Sequence, residues 1–360
     1  MKQLGMFGQV VVGLWVGTFL SLAALVGASY GADAAYNFTT MDIPLHFTFL
    51  GQERDDIVRL TDVNNKGQLV GNDFAGDGFF VNTKHEVTEI RCPGDRTDND
   101  STTVSAINNA GQVVGSCTDG GFVRDKNGNI TILNFPGAAN TLAYGINDTG
   151  DVVGQYGNSP FTDPTGIARF HGFVWSNGVY ITIDAPFSDA VHTALLGINN
   201  AGHIIGTYLP HRSGSSDIND YDSELAFLYD NGNFTPLDFP GAQIPFCCGA
   251  QTFPMDINNL GQVVGSSYDS NGKPQFFLYG DGKYFVITGV PENVIDPNDN
   301  SIIHGSSAFG INDKSEIAGT YVQRVPCETC GLDGEPGYEF TLHSFFATPK
   351  KAPKKHEPVN

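Results

Sequence analysis

The sequence predicts an all-β fold in which six four-stranded antiparallel sheets close into a ring, and three observations predict it. A nine-residue turn element recurs six times, each copy is trailed by a second hairpin pattern, and the two chain ends carry complementary parts of one repeat. The composition agrees: 44 glycines in 360 residues, 26 Phe and 13 Tyr against 4 Met, and only 16% charged residues suit short strands joined by tight turns. With 40% hydrophobic residues the chain can bury a core, which excludes wholesale disorder.

The recurring element is VNNKGQLVG at 63–71. It returns as INNAGQVVG (107–115), INDTGDVVG (146–154), INNAGHIIG (198–206), INNLGQVVG (257–265) and INDKSEIAG (311–319). Its leading asparagines, Asn64, Asn108, Asn147, Asn199, Asn258 and Asn312, stand 44, 39, 52, 59 and 54 residues apart, the length of one supersecondary unit per repeat. Asn with Gly three residues on, between β-branched flanks, fits a type I turn whose fourth residue is left-handed: a tight hairpin with a glycine bulge. Asn bonds the backbone ahead of it and Gly takes the positive φ. Ser315 replaces that glycine in the sixth copy, so a strained or rearranged turn is expected there. The last glycine of the element, such as Gly115 or Gly154, falls inside a strand, where glycine marks close approach of a neighbouring chain or ring.

A second element follows, as in GFVRDKNGNITILNFP (121–136), GFVWSNGVYITIDAP (172–186) and AFLYDNGNFTPLDFP (226–240). Each has an apolar strand, an Asn-Gly or similar turn, an alternating strand and a proline, which reads as another hairpin. A full repeat is therefore four short strands, ending at Pro93, Pro136, Pro186, Pro240 or Pro291. The last repeat reaches its third strand at His343–Ala347 and stops, while Tyr36–Pro44 looks like an orphan fourth strand. Pairing the first strand with the last sheet closes the ring and removes its open edge, which gives a six-bladed β-propeller over residues 35–349. A linear solenoid is the alternative, and it leaves the split last repeat unexplained.

The INNAGQVVG element followed by a His/Gly/Ala-Phe strand resembles the extracellular repeats called the HAF family. His171-Gly172-Phe173, Leu225-Ala226-Phe227 and His343-Ser344-Phe345 occupy its naming position, though none spells His-Ala-Phe. The resemblance covers nearly all of residues 36–348 and implies secretion and a propeller-like fold. It carries no chemistry that transfers residue by residue.

Export is also legible at the amino end. Lys2 precedes an apolar run from Val10 to Leu25, and Ala32-Asp33-Ala34 fits a signal-peptidase site, so residues 1–34 are expected to be a signal peptide. The competing reading is an uncleaved membrane anchor. Residues 350–360, with four lysines and two prolines, read as a disordered basic tail. Nineteen basic against 39 acidic residues give a net charge of −20, which disfavours nucleic acid and anionic membrane as partners. The mature protein is expected to be a monomer in the extracellular space or periplasm, with no membrane insertion after cleavage.

The turns between first and second strands are all short, and those between third and fourth strands mostly so. The long inserts fall on the opposite face. Residues 155–170, 207–225 and 320–341 join second to third strands, and 94–103, 241–252 and 292–306 join one repeat to the next. Function is expected on that elaborated face, because loops on a rigid scaffold carry most binding sites. All six cysteines lie there: Cys92, Cys117, Cys247, Cys248, Cys327 and Cys330. In an exported chain they suggest disulfides, Cys92–Cys117 first, with the other four paired locally or between the fifth and sixth repeats. A CxxC metal or redox site at Cys327–Cys330 is the weaker reading, because no second matching pair exists.

Two acidic clusters, Asp95/Asp98/Asp100 and Asp217/Asp220/Asp222, have the oxygen density that Ca²⁺ needs, although none matches an EF-hand loop. Asp296-Pro-Asn-Asp299 is looser, and a solvated polar loop is the blander reading of all three. Apart from that Ca²⁺, no cofactor is expected. His171, His192, His211, His304 and His343 should lie near the elaborated face. His192 and His304 precede axis-lining first strands, and with His171 they are the residues an enzyme would use for acid–base chemistry. Thr141, Thr193, Thr252 and Ser306 recur six residues before the repeat asparagine, with Thr102 in the same slot. They are candidates for a ligand-binding ring of hydroxyls, or simply polar residues suited to a wet inner strand. No GxSxG, phosphate loop or HExxH is present. The expected function is a secreted module that binds a glycan or protein. The alternatives are a glycan-active hydrolase or lyase and a structural component of the envelope or matrix.

Overall fold

A computed structural model describes residues 29–30, 33–49, 52–94, 102–157, 170–186, 190–210, 224–240, 252–268, 274–289, 307–327 and 337–350. Among these the chain is all-β, with no helix long and apolar enough to cross a membrane. The strands fall into six antiparallel units of four. The first unit is Arg59–Val63, Leu69–Asn72, Gly78–Val81 and Val87–Ile90. The second is Thr103–Ile107, Val113–Cys117, Gly120–Arg124 and Ile130–Leu133. The third is Asn140–Ile146, Val152–Gly157, Phe170–Ser176 and Val179–Thr182. The fourth is Ala190–Ile198, Ile204–Pro210, Leu225–Asp230 and Asn233–Pro236. The fifth is Thr252–Ile257, Val263–Tyr268, Pro274–Gly280 and Lys283–Thr288. The sixth takes Ser307–Ile311, Ile317–Cys327 and Gly337–Pro349 from the carboxyl end and Ala34–Thr40 from the amino end. That last pairing runs antiparallel from Tyr36↔Pro349 to Thr40↔Phe345.

The recurring turn forms as its residues dictate. In the first copy Gly67 N–H donates to Asn64 O, Asn64 N–H donates to Gln68 O, and Gly67 sits at φ +75°. Ser315 holds the same left-handed place at φ +58°, and its hydroxyl bonds Gln262 Oε1 at 2.7 Å. The turn is kept, at the cost of a conformation that L-residues disfavour. The strand glycine answers a second demand. At Gly154 a Cβ would collide with the carbonyl of Leu142 and the ring of Phe173, and at Gly115, Gly206 and Gly265 the same pair of obstacles recurs. Every first strand carries a bulge opposite this glycine, for example between Ala143 and Gly145. The phenylalanines it accommodates, Phe122, Phe173, Phe227 and Phe277, are fully buried.

Six buried clusters lie one at each junction between neighbouring units. Val70 and Ile90 of the first unit pack on Val104, Val113 and Phe122 of the second. Ala318 of the sixth packs on Val58, Leu60 and Leu69 at the start of the first. The other four junctions are filled alike. Each sheet thus buries both faces against its neighbours, and the sequence of junctions returns to its start.

The structure departs from the expected architecture in three respects. The units are not six separate sheets. A single parallel pair, Phe170↔His192, joins the third and fourth into an eight-stranded sheet. The amino-terminal strand overhangs onto the fifth unit through Ala34↔Ile287 and Ala35↔Thr288, and a short strand Ser29–Tyr30 adds to the same edge at Lys283–Tyr284, making a nine-stranded one. Strands that start early at the crowded ends of neighbouring units reach each other's edges. Second, the expected loop at 320–341 is largely strand, with pairing from Ile317↔Ala347 out to Cys327↔Gly337. Third, an added hairpin, Pro44–Phe49 with Gln52–Ile57, precedes the first unit.

Candidate functional site

The hairpin-turn face is tied together by two concentric rings of side chains. In the inner ring each repeat asparagine donates from Nδ2 to the main-chain carbonyl of the next. Asn64 reaches Asn108, Asn108 reaches Asn147, Asn147 reaches Asn199, Asn199 reaches Asn258, Asn258 reaches Asn312, and Asn312 returns to Asn64. In the outer ring the following residue's N–H donates to the next side chain, at 2.7 Å from Asn65 to Asn109 Oδ1 and onward until Asp313 N–H meets Asn65 Oδ1. The rings enclose an axial cavity of about 50 Å³. Asp62 and Asp256 face it, each accepting two backbone N–H groups. Burial pushes both carboxyls up, Asp256 to about 6, and the Asp256 charge raises Asp62 further. At Asp148 burial also acts upward, but hydrogen bonds from Asn200 and Asn109 outweigh it and hold that carboxyl low. This face is small-bore and nearly saturated with internal hydrogen bonds, so it serves cohesion.

The other end of the third and fourth units carries a different set. His171, at the start of the third strand, bonds Asp184 Oδ2 through Nδ1 at 2.7 Å, and the Gly172 N–H donates to Asp184 Oδ1 at 3.1 Å. Nδ1 must carry the proton in that bond, because a carboxylate only accepts. The His171 ring stacks on Tyr156 (5.3 Å), and Tyr156 stacks on Phe135 of the preceding unit (3.5 Å). One step along the ring, His192 Nε2 lies 3.0 Å from Gln155 Oε1 and its ring lies against Phe170. Burial holds the His192 imidazole below its usual range, Glu224 pulls it up, and His171 pushes it down again, so His192 is neutral at pH 7. Thr207 Oγ1 donates to Glu224 Oε1. Tyr144 is raised to about 12 by burial and by Glu224, against a hydrogen bond with Gln155. Strand alternation divides these groups between the two faces of the third unit: His171, Tyr156 and the Phe135 ring lie on the face toward the second unit, as Val152 does, and Gln155 and His192 lie with Glu224 toward the fourth, as Val153 does. His171 and Asp184 keep 43% and 38% of their side chains in solvent, enough to meet a ligand.

The structure separates the other candidates. Thr102, Thr141, Thr193 and Thr252 are 1–3% exposed, and each hydroxyl accepts a backbone N–H at the end of the previous repeat: Cys92, Phe135, Ala185 and Phe239. These hydroxyls latch the incoming chain to the next unit. His343 pairs with Asp42 far from His171 in sequence. Cys92 and Cys117 form a disulfide that ties the end of the first unit to the second strand of the second, with Cα atoms 6.4 Å apart. His304, Ser306, Asp95, Asp98, Asp100, Asp217, Asp220, Asp222, Cys247, Cys248 and Cys330 lie outside the described residues, as does the side chain of Cys327. Among the described residues no group of three or more His, Cys, Asp and Glu is placed to hold a metal ion. Sequence reasoning missed Asp184, Glu224, Gln155 and Tyr156. The recurring Asp-x-Pro at Asp184-Ala185-Pro186 and Asp42-Ile43-Pro44 was the one signal for the first of them.

No family model matches the chain, and no curated protein does. Among solved structures it is similar to a gluconolactonase from Xanthomonas campestris, at 11% identity and a TM-score of 0.43 over 91% of this chain and 99% of that one. It is similar to the β-propeller domain of the trilobed protease from Pyrococcus furiosus, at 10% identity and 0.43 over 88% and 93%. Aleuria aurantia lectin matches at 11% identity and 0.38 over 89% and 97%.

Proposed function

We propose that the chain is a secreted six-bladed β-propeller, residues 35–349, that binds an uncharged glycan at the junction of its second and third blades. The six-membered asparagine circuit and the six filled junctions support the blade count. The Cys92–Cys117 disulfide suits an oxidising compartment.

The observation that carries the binding reading is the His171–Asp184 pair beside the Phe135–Tyr156 ladder. Sugars present apolar C–H faces and a rim of hydroxyls. Aromatic rings meet the first, and carboxylates with imidazoles meet the second. A chain with a net charge of −20 repels acidic polysaccharides, which selects neutral ones. A second reading rests on the same pair: Asp184 fixes the His171 tautomer as an orienting carboxylate does for a general base.

The test is binding and turnover of chitohexaose, cellohexaose and mannohexaose by the mature protein, with and without EDTA. Binding without turnover is expected, weakened about 10- to 100-fold by Asp184→Ala, the worth of one charge-assisted hydrogen bond. Turnover lost in His171→Leu establishes the enzyme instead. Binding lost in EDTA gives the acidic loops a Ca²⁺ role, and capture of protein with no sugar bound overturns the glycan reading.

A further inference from the structure

Strand register places corresponding residues of all six units at comparable positions. In the third unit four of them interlock. The Tyr156 hydroxyl is 2.8 Å from Thr182 Oγ1, the Tyr156 ring lies on His171, His171 bonds Asp184, and Asp184 takes the next N–H. The sixth unit repeats every contact with residues from opposite ends of the chain. The Tyr321 hydroxyl is 2.7 Å from Thr40 Oγ1, and its ring stacks on His343 at 5.0 Å. His343 Nδ1 meets Asp42 Oδ2 at 2.6 Å, and Ser344 N–H donates to Asp42 Oδ1 at 3.0 Å. The matched registers Tyr156↔His171 and Tyr321↔His343 show that the positions are the same.

No other unit carries the set. The fourth comes nearest, with Tyr208 and Asp238, but has Leu225 in the histidine place and Pro236 in the threonine place. Its strands pair regardless: Leu237 N–H donates to Ala226 O at 3.0 Å, as Ile183 N–H does to Gly172 O at 2.9 Å in the third unit. A histidine–carboxylate pair is therefore not what holds these strands together. Its appearance in two units calls for a role outside strand pairing. In the asparagine circuit the third and sixth units are three steps apart in both directions, so the two copies sit on opposite sides of the axis.

We propose that His343, Asp42, Tyr321 and Thr40 form a second glycan site equivalent to that of His171, and that the protein engages a neutral polysaccharide bivalently. The inference rests on the glycan reading above. The His343 side chain is 17% exposed against 43% for His171, so the second site is the weaker of the two. Two sites on one rigid ring make the second attachment to a polymer intramolecular, which raises avidity by about 10²–10⁴ without new contacts.

The test is isothermal titration of the mature protein with whichever of the three hexasaccharides binds, and surface binding to the matching immobilised polysaccharide. The variants are His171→Leu and His343→Leu, which install the residue that the fourth unit carries with its strands paired; circular dichroism melting verifies folding. A stoichiometry of two is expected, falling to one in each variant. Avidity for the polysaccharide should drop at least about 100-fold in either. Asp42→Ala gives the same readout if His343→Leu fails to fold. A stoichiometry of one in the unsubstituted protein, or one unaltered by both His343→Leu and Asp42→Ala, overturns the second site and leaves the first standing. Absence of binding by all three sugars overturns the glycan reading itself.

Discussion

At the scale of single residues, the repeat asparagine does the most. Asn108 Oδ1 accepts from Ala110 N–H (3.0 Å) and Gln112 N–H (2.9 Å). Its Nδ2 donates to Gln112 Oε1 (2.8 Å) and to Asn147 O (2.9 Å). Both donors and both lone-pair sites of one amide are used, in a residue 4% exposed. Asn108→Ala strands buried backbone groups, and Asn108→Asp turns a donor into an oxygen facing the Asn147 carbonyl. Each is expected to lower stability by about 2–4 kcal/mol in urea unfolding, and a loss under about 0.5 kcal/mol would remove the ring from the account of cohesion. The turn role of Asn was legible in its own nine residues. Its reach to the next repeat was not, because nothing local says what lies beyond Nδ2.

At the scale of the element, the unit is a hairpin pair with one bulge, one glycine and one phenylalanine in fixed relation. Gly154 is squeezed between a ring that can turn and a backbone carbonyl that cannot. Gly154→Ala should cost about 1–3 kcal/mol by overpacking, and adding Phe173→Leu should not recover it, since the Leu142 carbonyl remains. Recovery in the double variant would make the ring the obstacle. The sequence placed the strand glycine correctly as a point of close approach and the hairpin turns as well. It left the 44–57 hairpin unassigned. It also put residues 320–341 in a loop, although they carry the outer part of the pairing between 317–327 and 337–349, since Pro326 disguises the alternation.

At the scale of the whole molecule, the axis brings like charges together. Asp62 and Asp256 come from the first and fifth units and share one cavity, with Asp148 and Asp313 also lining it. Asp256 titrates near 6 in the folded protein against an ordinary value of 3.8, so the folded state holds the proton more tightly than the unfolded chain. Its stabilising contribution is complete below about pH 4 and is lost as pH rises through about 6. Urea midpoints of the unsubstituted protein should therefore gain on those of Asp256→Asn as pH falls from 7 to 4. Parallel profiles for the two would place the carboxyl in water.

The repeat count, the hairpin turns, the borrowed strand from the amino end and the first disulfide pair were determined by the sequence. Each depends on residues a few positions apart, or on one end supplying what the other lacks. Only the tertiary structure decided what the repeats do to one another. It turned the threonine hydroxyls into latches and closed the amides into a circuit. It also set Thr40 against Tyr321, 281 residues away. Such contacts follow from how side chains point once neighbouring sheets have packed. Repeat spacings that vary from 39 to 59 residues hide that direction from any reading along the chain.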